Sequence, residues 1–439
     1  MTHHSSSSAT PIASATTDGV LRHVVIASFI GNFVEWFDYA VYGYLATVIA
    51  HVFFPDSSPT TGLLATYAVF AISFIIRPVG GLVWGHFGDR IGRRSALSYS
   101  ILIMTAATFC VGLIPSFHQI GYAAPVLLLI IRMVQGFSAS GEYAGASAFL
   151  AEYAPDRRRG LLTSVVPAST AAGLLFGSLL AALLTAVLST EQLDTWGWRL
   201  PFLIAAPLGL IGRYIRLRLE DTPKFQEMER NIDVESNTPL SILFTEHRRA
   251  IVIAFGVTCL NAVGFYLILS YMPTYLSEQL HVAETASFVI ASITLACYIF
   301  FIFGMGALSD RFGRKRVLIA ASICFAVGTV PLFSALGAVG LVGIAFIQIV
   351  LALFLTMNDG TLPTFLAEIF PTRVRYSGFA FSFNTANALF GGTAPFVATL
   401  LIKLTGSNLA PAWYLVAAAL VAMAAMLAAR ETAQAPLAD

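Results

Sequence analysis

Charge is what this chain of 439 residues has least of. Asp, Glu, Lys and Arg make up 11%, against 57% hydrophobic residues and a mean hydropathy of +0.77. A soluble domain carries about 25% charged residues. The shortage extends over the whole length and leaves a multi-pass helical membrane protein as the class that fits. Lysine is nearly absent: Lys224, Lys315 and Lys403 are the only three, and none follows a glycine. That excludes a phosphate-cradling P-loop and ATP hydrolysis by that route. The net charge of +1 implies no bulk electrostatic partner, and nucleic-acid binding has no support. Cys110, Cys259, Cys297 and Cys324 lie in apolar runs without CxxC spacing and read as small buried hydrophobes. His51, His86, His118 and His281 have no metal-ligand spacing, and no nucleophile–base arrangement stands out. Neither an enzyme nor a cofactor or metal is therefore expected. The polar stretch MTHHSSSSATPIASATTDG lacks the pattern of a cleaved signal peptide. It predicts a disordered tail over residues 1–21.

What is present is apolar sequence in long runs. Runs of about 20 residues or more, enough to span a bilayer, recur at 24–52, 61–84, 95–114, 122–150, 161–188, 199–219, 250–277, 284–308, 316–336, 340–367, 376–403 and 409–429. The polar break at 220–248 divides them six and six. This predicts an all-α membrane fold with an N-terminal six-helix bundle (22–219), an inter-bundle loop (220–248), a C-terminal six-helix bundle (249–430) and a short tail (431–439). With a cytoplasmic N-terminus, 21 Arg and Lys side chains fall on the cytoplasmic side and only Arg199 and Lys403 on the other, leaving Arg77 and Arg132 inside spans. The positive-inside rule therefore puts both termini and the central loop in the cytoplasm.

Two motifs occur twice. GHFGDRIGRR (85–94) and GALSDRFGRK (306–315) share G-x-x-x-D-R-x-G-R-[RK] at an offset of 221. FLAEYAPDRRR (149–159) and FLAEIFPTRVR (365–375) share FLAE-x-x-P-x-R-x-R at an offset of 216. The chain therefore reads as two six-span halves of parallel sense, a plan that places a substrate site between them. The glycines suit tight turns and close helix approach. Asp89 and Asp310 can accept hydrogen bonds from arginines or a helix N-terminus. Gly85, Asp89, Arg90, Arg93, Glu152 and Arg157, with Asp310, Arg311, Arg314, Glu368 and Arg373, are the candidate cytoplasmic gate. Such clusters could latch the halves while the site faces outward, or merely satisfy topology and lipid headgroups.

The paired loop motif resembles the signature of the major facilitator superfamily, and RMVQG (132–136) resembles its fourth-helix motif. Within that superfamily GNFVEWFDYAVYGYLA (31–46), IIRPVGG (75–81), QGFSASGEYAGAS (135–147), WGWRLPF (196–202) and YMPTYL (271–276) resemble the metabolite:H+ symporter family. The resemblance covers about residues 22–435. GEYAGASAFLAEYAPDRRRG and RETAQAPL look most like proline/glycine-betaine porters, while citrate, 2-oxoglutarate and shikimate porters share most of the other motifs. The resemblance implies proton-coupled symport of a small solute by alternating access, in the bacterial cytoplasmic (inner) membrane, with solute, protons and bilayer as partners and a monomer as the working unit. In related symporters a first-helix carboxylate near a fourth-helix arginine serves coupling. That role is carried to Asp38 and Arg132, with Glu35 the other proton candidate. Some osmosensing porters of the family have a charged coiled-coil tail, whereas RETAQAPLAD has no heptads, so activation through such a tail is not expected.

Acids inside a span are functional candidates because each is costly there. Glu35 and Asp38 share a helix face with Gly31 and Tyr42, and that face is expected to look into the central cavity with Arg132 as partner to one acid. Trp36 is expected to point elsewhere. Arg77, beside Pro78, Gly80 and Gly81, could bind a substrate carboxylate or brace an acid. Glu142 could face the cavity or a packing partner. The positions matching Arg77, Arg132 and Glu142 in the second half are Tyr298, Gln348 and Asn358. The first half is thus ionisable where the second is neutral, Asp359 excepted, and proton coupling is expected mainly in the first half. Two cations, Arg77 and Arg132, against four acids, Glu35, Asp38, Glu142 and Asp359, leave −2 when all are ionised. That suits a zwitterion better than a trivalent anion, with Trp36, Tyr39, Tyr42, Phe265, Tyr266 and Tyr298 available for cation–π contact. A small organic acid is the alternative substrate, and a non-transporting membrane receptor or scaffold is the alternative of another class.

Overall fold

The computed structural model describes residues 12–222, 225–227 and 239–438. Twelve helical spans are long and apolar enough to cross a membrane. Spans 1 to 6 are Gly19–Tyr44, Thr61–Ile91, Arg93–Leu113, Ala123–Tyr153, Asp156–Val187 and Gly197–Leu217. Spans 7 to 12 are Arg248–Leu280, Thr285–Phe312, Arg314–Leu336, Leu341–Ile369, Thr372–Thr405 and Ala410–Ala428. All twelve expected runs are helical. The first helix begins at Ile12, well inside the stretch expected to be a disordered tail. Residues 1–11 lie outside the described residues, as do 223–224 and 228–238 of the expected central loop. The described part of that loop includes a further short helix, Pro239–Glu246.

Local chemistry sets where the chain turns. Ser58 caps span 2 by accepting a hydrogen bond from the Thr61 amide, with Pro59 in the first turn. Spans 2 and 3 join at Gly92 and spans 8 and 9 at Gly313, with φ of 100° and 103°. Those left-handed values favour glycine, which is why the repeated motif keeps a glycine there. Spans 7 and 11 each contain a π-helical turn, Tyr266–Tyr271 and Asn387–Gly391. Such turns free backbone groups and often mark functional sites.

Each half packs through small residues. Gly173 and Gly177 of span 5 face span 1 so closely that a Cβ on Gly173 would come within 2.7 Å of the Phe33 carbonyl, and one on Gly177 within 2.6 Å of the Ala40 Cβ. Asn32 stitches the same pair, donating to the Val166 carbonyl, Ser169 Oγ and Thr170 Oγ1. The halves meet where span 2 lies on span 11 and span 5 on span 8. A Cβ on Gly85 would overlap the Ser377 backbone, and one on Gly306 would sit 2.6 Å from the Gly160 carbonyl. Gly85 and Gly306 are equivalent in the repeat, so the two crossings are symmetry mates.

Candidate functional site

The end of the molecule that carries the repeated motifs is closed by a symmetric lattice of hydrogen bonds and ion pairs. Asp89 of span 2 accepts from the amides of Tyr376 (3.1 Å) and Ser377 (2.8 Å), at the start of span 11 in the other half. Asp310 of span 8 accepts from the amides of Gly160 (2.8 Å) and Leu161 (2.9 Å), at the start of span 5. Each acid thus sits on a helix N-terminus of the opposite half, where backbone N–H groups and the helix dipole favour an anion. Arg93 reaches Asp89 and Glu152 at 3.2 Å each. Arg314 reaches Asp310 at 2.8 Å and Glu368 at 3.3 Å. The halves are then cross-linked by Arg375 to Glu152 at 2.6 Å and Arg159 to Glu368 at 2.8 Å.

Gly85, Asp89, Arg93, Glu152, Asp310, Arg314 and Glu368 therefore occupy the places the motif suggested. Arg157 and Arg373 do not: both are exposed, and the arginines two residues later, Arg159 and Arg375, take the cross-half positions. A short 3-10 turn at each site, Asp156–Arg158 and Thr372–Val374, rotates the chain so that the later arginine faces inward. Arg90 and Arg311 are also exposed.

A third repeated pair escaped the sequence reading. Asp221 accepts from the amides of Arg93 and Arg94, and Glu431 from those of Arg314 and Lys315. The neighbouring threonines donate to the two glutamates, Thr222 to Glu152 and Thr432 to Glu368. The signal was present as E-D-T at 220–222 and R-E-T at 430–432, an offset of 210. Beyond it, the carbonyls of Ala435 and Ala438 accept from Arg159 and Arg375.

Deeper in the membrane the first half holds three buried ion pairs. Asp38 meets Arg132 at 2.5 Å and also accepts from Gln135 at 3.1 Å. The Arg132 guanidinium lies 3.7 Å from the centre of the Tyr42 ring. Glu35 meets Arg77 at 2.6 Å, so Arg77 braces an acid. Glu142 is clasped by both terminal nitrogens of Arg216 on span 6. Gly31 provides the room, since a side chain there would strike that pair. Arg216, expected on the cytoplasmic side, is in the last turn of span 6 with its side chain buried against Glu142.

The space between the halves lies elsewhere. A small cavity is lined by Trp36, Tyr143, Pro167 and Thr170 from the first half. The second half contributes Asn261, Phe265, Tyr298, Asp359, Phe383 and Asn387. Cross-half aromatic pairs close it: Trp36 on Phe265, with centroids 5.1 Å apart, and Tyr143 stacked on Phe383 at 4.3 Å. At about 1.5 Å per residue, Trp36 and Phe265 lie about 25 Å along their spans from the motif end and Tyr143 about 15 Å, so the cavity is mid-membrane.

This reverses part of the helix-face expectation. Glu35 and Asp38 do share a face, but it is spent on arginines of spans 2 and 4 within their own half, and Trp36 is the span 1 residue that faces the cavity. Tyr39 and Tyr42 lie against Arg77 and Arg132. Gln348 accepts from Thr294 inside the second half, and Asn358 is buried; neither lines the cavity. Asp359 does. Its carboxylate accepts from Tyr298 at 2.6 Å and Asn261 at 2.7 Å, both neutral donors. The lining residues include no arginine, lysine or histidine. With Arg216 included, three intramembrane cations face four acids, and Asp359 is the acid left over.

The sequence is similar to known transporters throughout its length. Residues 23–242 match the family model described as "Sugar (and other) transporter", and residues 254–437 the one described as "Major Facilitator Superfamily". The glycine betaine/proline/ectoine/pipecolic acid transporter OusA of Dickeya dadantii is 38% identical over 429 residues, covering 96% of this chain and 85% of that protein. The proline/betaine transporter of Escherichia coli is 38% identical with the same coverage. Among solved structures, the proton:xylose symporter XylE bound to 6-bromo-6-deoxy-D-glucose aligns with a TM-score of 0.78 at 18% identity, covering 96% of this chain and 98% of its own. The inward-open form of XylE from E. coli aligns with a TM-score of 0.65, at 19% identity and 94% and 97% coverage. Two interlocked six-span halves around a mid-membrane cavity, and relatives this similar over nearly the whole chain, place this protein in the major facilitator superfamily of membrane transporters, in the family of the proline/betaine transporters.

Proposed function

We propose that this protein carries a small zwitterionic compatible solute of the proline/glycine-betaine kind, in symport with protons, across the bacterial cytoplasmic membrane. One observation carries the substrate class: the cavity between the halves holds a single acid, Asp359, unpaired with any arginine or lysine among the described residues and surrounded by aromatic rings. A buried carboxylate held only by neutral donors is costly without a cation. A substrate ammonium supplies that cation, and Trp36, Phe265, Tyr143 and Phe383 supply ring faces for it. A di- or tricarboxylate would meet Asp359 with no lining cation to balance it.

The transport cycle follows from the lattice at the motif end, which the positive-inside rule assigns to the cytoplasm. With that end locked, solute and proton enter from outside. Its release, with closure of the opposite end, delivers them inside. The proton is assigned to Asp38 and Glu35, each held by one arginine that a helix shift can remove or restore. The monomer contains the whole cavity.

Uptake into proteoliposomes under an imposed inward proton gradient tests the reading. Proline or glycine betaine accumulates, and dissipating the gradient abolishes accumulation. Accumulation of 2-oxoglutarate or citrate instead of either zwitterion would overturn it.

A further inference from the structure

Span 11 reaches across to span 4 with two side chains that have no counterpart in the repeat. Span 4 is interrupted: one helix ends at Ala139 and the next begins at Glu142. The Tyr376 hydroxyl donates to the Gly141 carbonyl at 2.7 Å, and the Asn384 amide donates to the Ser140 carbonyl at 2.7 Å. Both carbonyls lie in the break, in the first half, and both donors belong to the second. Tyr376 is fully buried, and three glycines of the first half make its room. A Cβ on Gly88, Gly141 or Gly145 would run into its ring or its hydroxyl.

The repeat separates this contact from closure of the motif end. At the offset of 216, Tyr376 and Asn384 match Gly160 and Ala168 of span 5, neither of which has a side-chain donor. The three glycines match Ser309, Met357 and Thr361. A Cβ on Gly160 would already come within 2.5 Å of Ser309 Oγ, so a ring has no room there. The backbone pairing to the motif acids is nonetheless the same at both crossings, with Asp310 on the Gly160 amide and Asp89 on the Tyr376 amide. Ring, glycines and side-chain amide therefore serve something that only one crossing needs.

The difference lies behind the break. Tyr143, in the first turn after it, lines the cavity and stacks on Phe383, the residue before Asn384. Its neighbour Glu142 is tied to Arg216 within the first half, and that tie persists when the halves move apart. Tyr376 and Asn384 hold the same turn from the other half and leave it when span 11 moves. We infer that Tyr376, with Asn384, is a positioning residue that fixes Tyr143 in the cavity wall only while the motif end is closed. Closure completes the cavity for solute arriving from the opposite side, and opening loosens its wall and favours release. This rests on the proposed alternating cycle and not on which solute is carried.

Tyr376→Phe keeps the ring in place and removes one neutral hydrogen bond, worth about two- to tenfold in an equilibrium. Deuterium exchange over residues 140–147 rises by that factor, while the matching turn of span 10, residues 356–363, is unchanged. Asn384→Ala gives the same pattern. Unchanged exchange in span 4, or an equal rise in both turns, overturns the inference. In right-side-out membrane vesicles Tyr376→Phe raises the KM for glycine betaine about two- to tenfold without a fall in kcat. In inside-out vesicles the KM does not rise. A loss shared by both faces marks a merely structural role and overturns the inference as well. If the unsubstituted protein takes up neither proline nor glycine betaine, the substrate proposal fails, and the exchange comparison decides the role of Tyr376 without a solute.

Discussion

The acids of the membrane interior differ in what each has as a partner, and substitution should separate them. Asp359→Asn keeps a side chain that can hydrogen-bond Tyr298 and Asn261 but removes the charge from the cavity. Losing one member of a buried charge pair typically costs 2–5 kcal/mol, so the KM for the solute rises at least about thirtyfold while the protein inserts and purifies normally. Asp38→Asn leaves Arg132 without its counter-charge. Accumulation under a proton gradient collapses while the amount of protein in the membrane fraction is unchanged; gradient-driven uptake at the original level would remove Asp38 from coupling. Glu142→Gln has a different outcome. It strands Arg216 in a buried site, and breaking such a pair costs about 3–5 kcal/mol. The thermal midpoint in detergent falls by several degrees, and restoring neutrality with Arg216→Met in the same chain recovers much of the loss.

At the scale of elements, the motif end depends on backbone approach as much as on charge. Gly85 lets span 2 rest on the start of span 11, bringing Asp89 to the amides of Tyr376 and Ser377. Gly85→Val forces those helices apart and costs the motif end its closed state. Cysteines placed on the buried face of span 11 then become reactive to a membrane-impermeant thiol reagent from the motif side, while the same cysteines beside Gly85 stay protected. The glycine in this motif was legible in the sequence, and its reason, a helix crossing, was given correctly. The choice of arginine was not legible. FLAE-x-x-P-x-R-x-R offers two, and only the 3-10 turn before the helix decides that Arg159 and Arg375 face the glutamates and Arg157 and Arg373 face outward. The helix-face argument for Glu35 and Asp38 failed for a related reason. Periodicity shows that two residues share a face, but it cannot show whether that face meets a cavity or an arginine on a neighbouring span.

For the whole molecule, two cross-half ion pairs related by the repeat join the halves at the motif end, and the proposed cycle requires them to break when it opens. Removing both acids with Glu152→Gln and Glu368→Gln weakens several charge-assisted hydrogen bonds, and each 1.4 kcal/mol lost shifts the equilibrium tenfold. Spin labels on the exposed positions Arg90 and Arg311 report the change as a population at longer distance, larger in the double variant than in either single one. An unchanged distance distribution would mean that the helix crossings alone hold the end shut.

The sequence by itself determined the twelve spans, their division into halves and the repeated motifs. These follow from hydrophobic run length and from a repeat of residue types, and both are properties of the chain read in order. It also supplied the family, since the motifs that carry the resemblance lie along the same line. Which ionisable groups pair was decided only by the tertiary structure. Arg216 neutralises Glu142 from 74 residues further along the chain, and Arg77 and Arg132 take up Glu35 and Asp38, so the acid left for the cavity is Asp359, in the half that looked neutral. Charge balance in a low-dielectric interior depends on distances of a few ångströms between spans, and linear order carries no record of them.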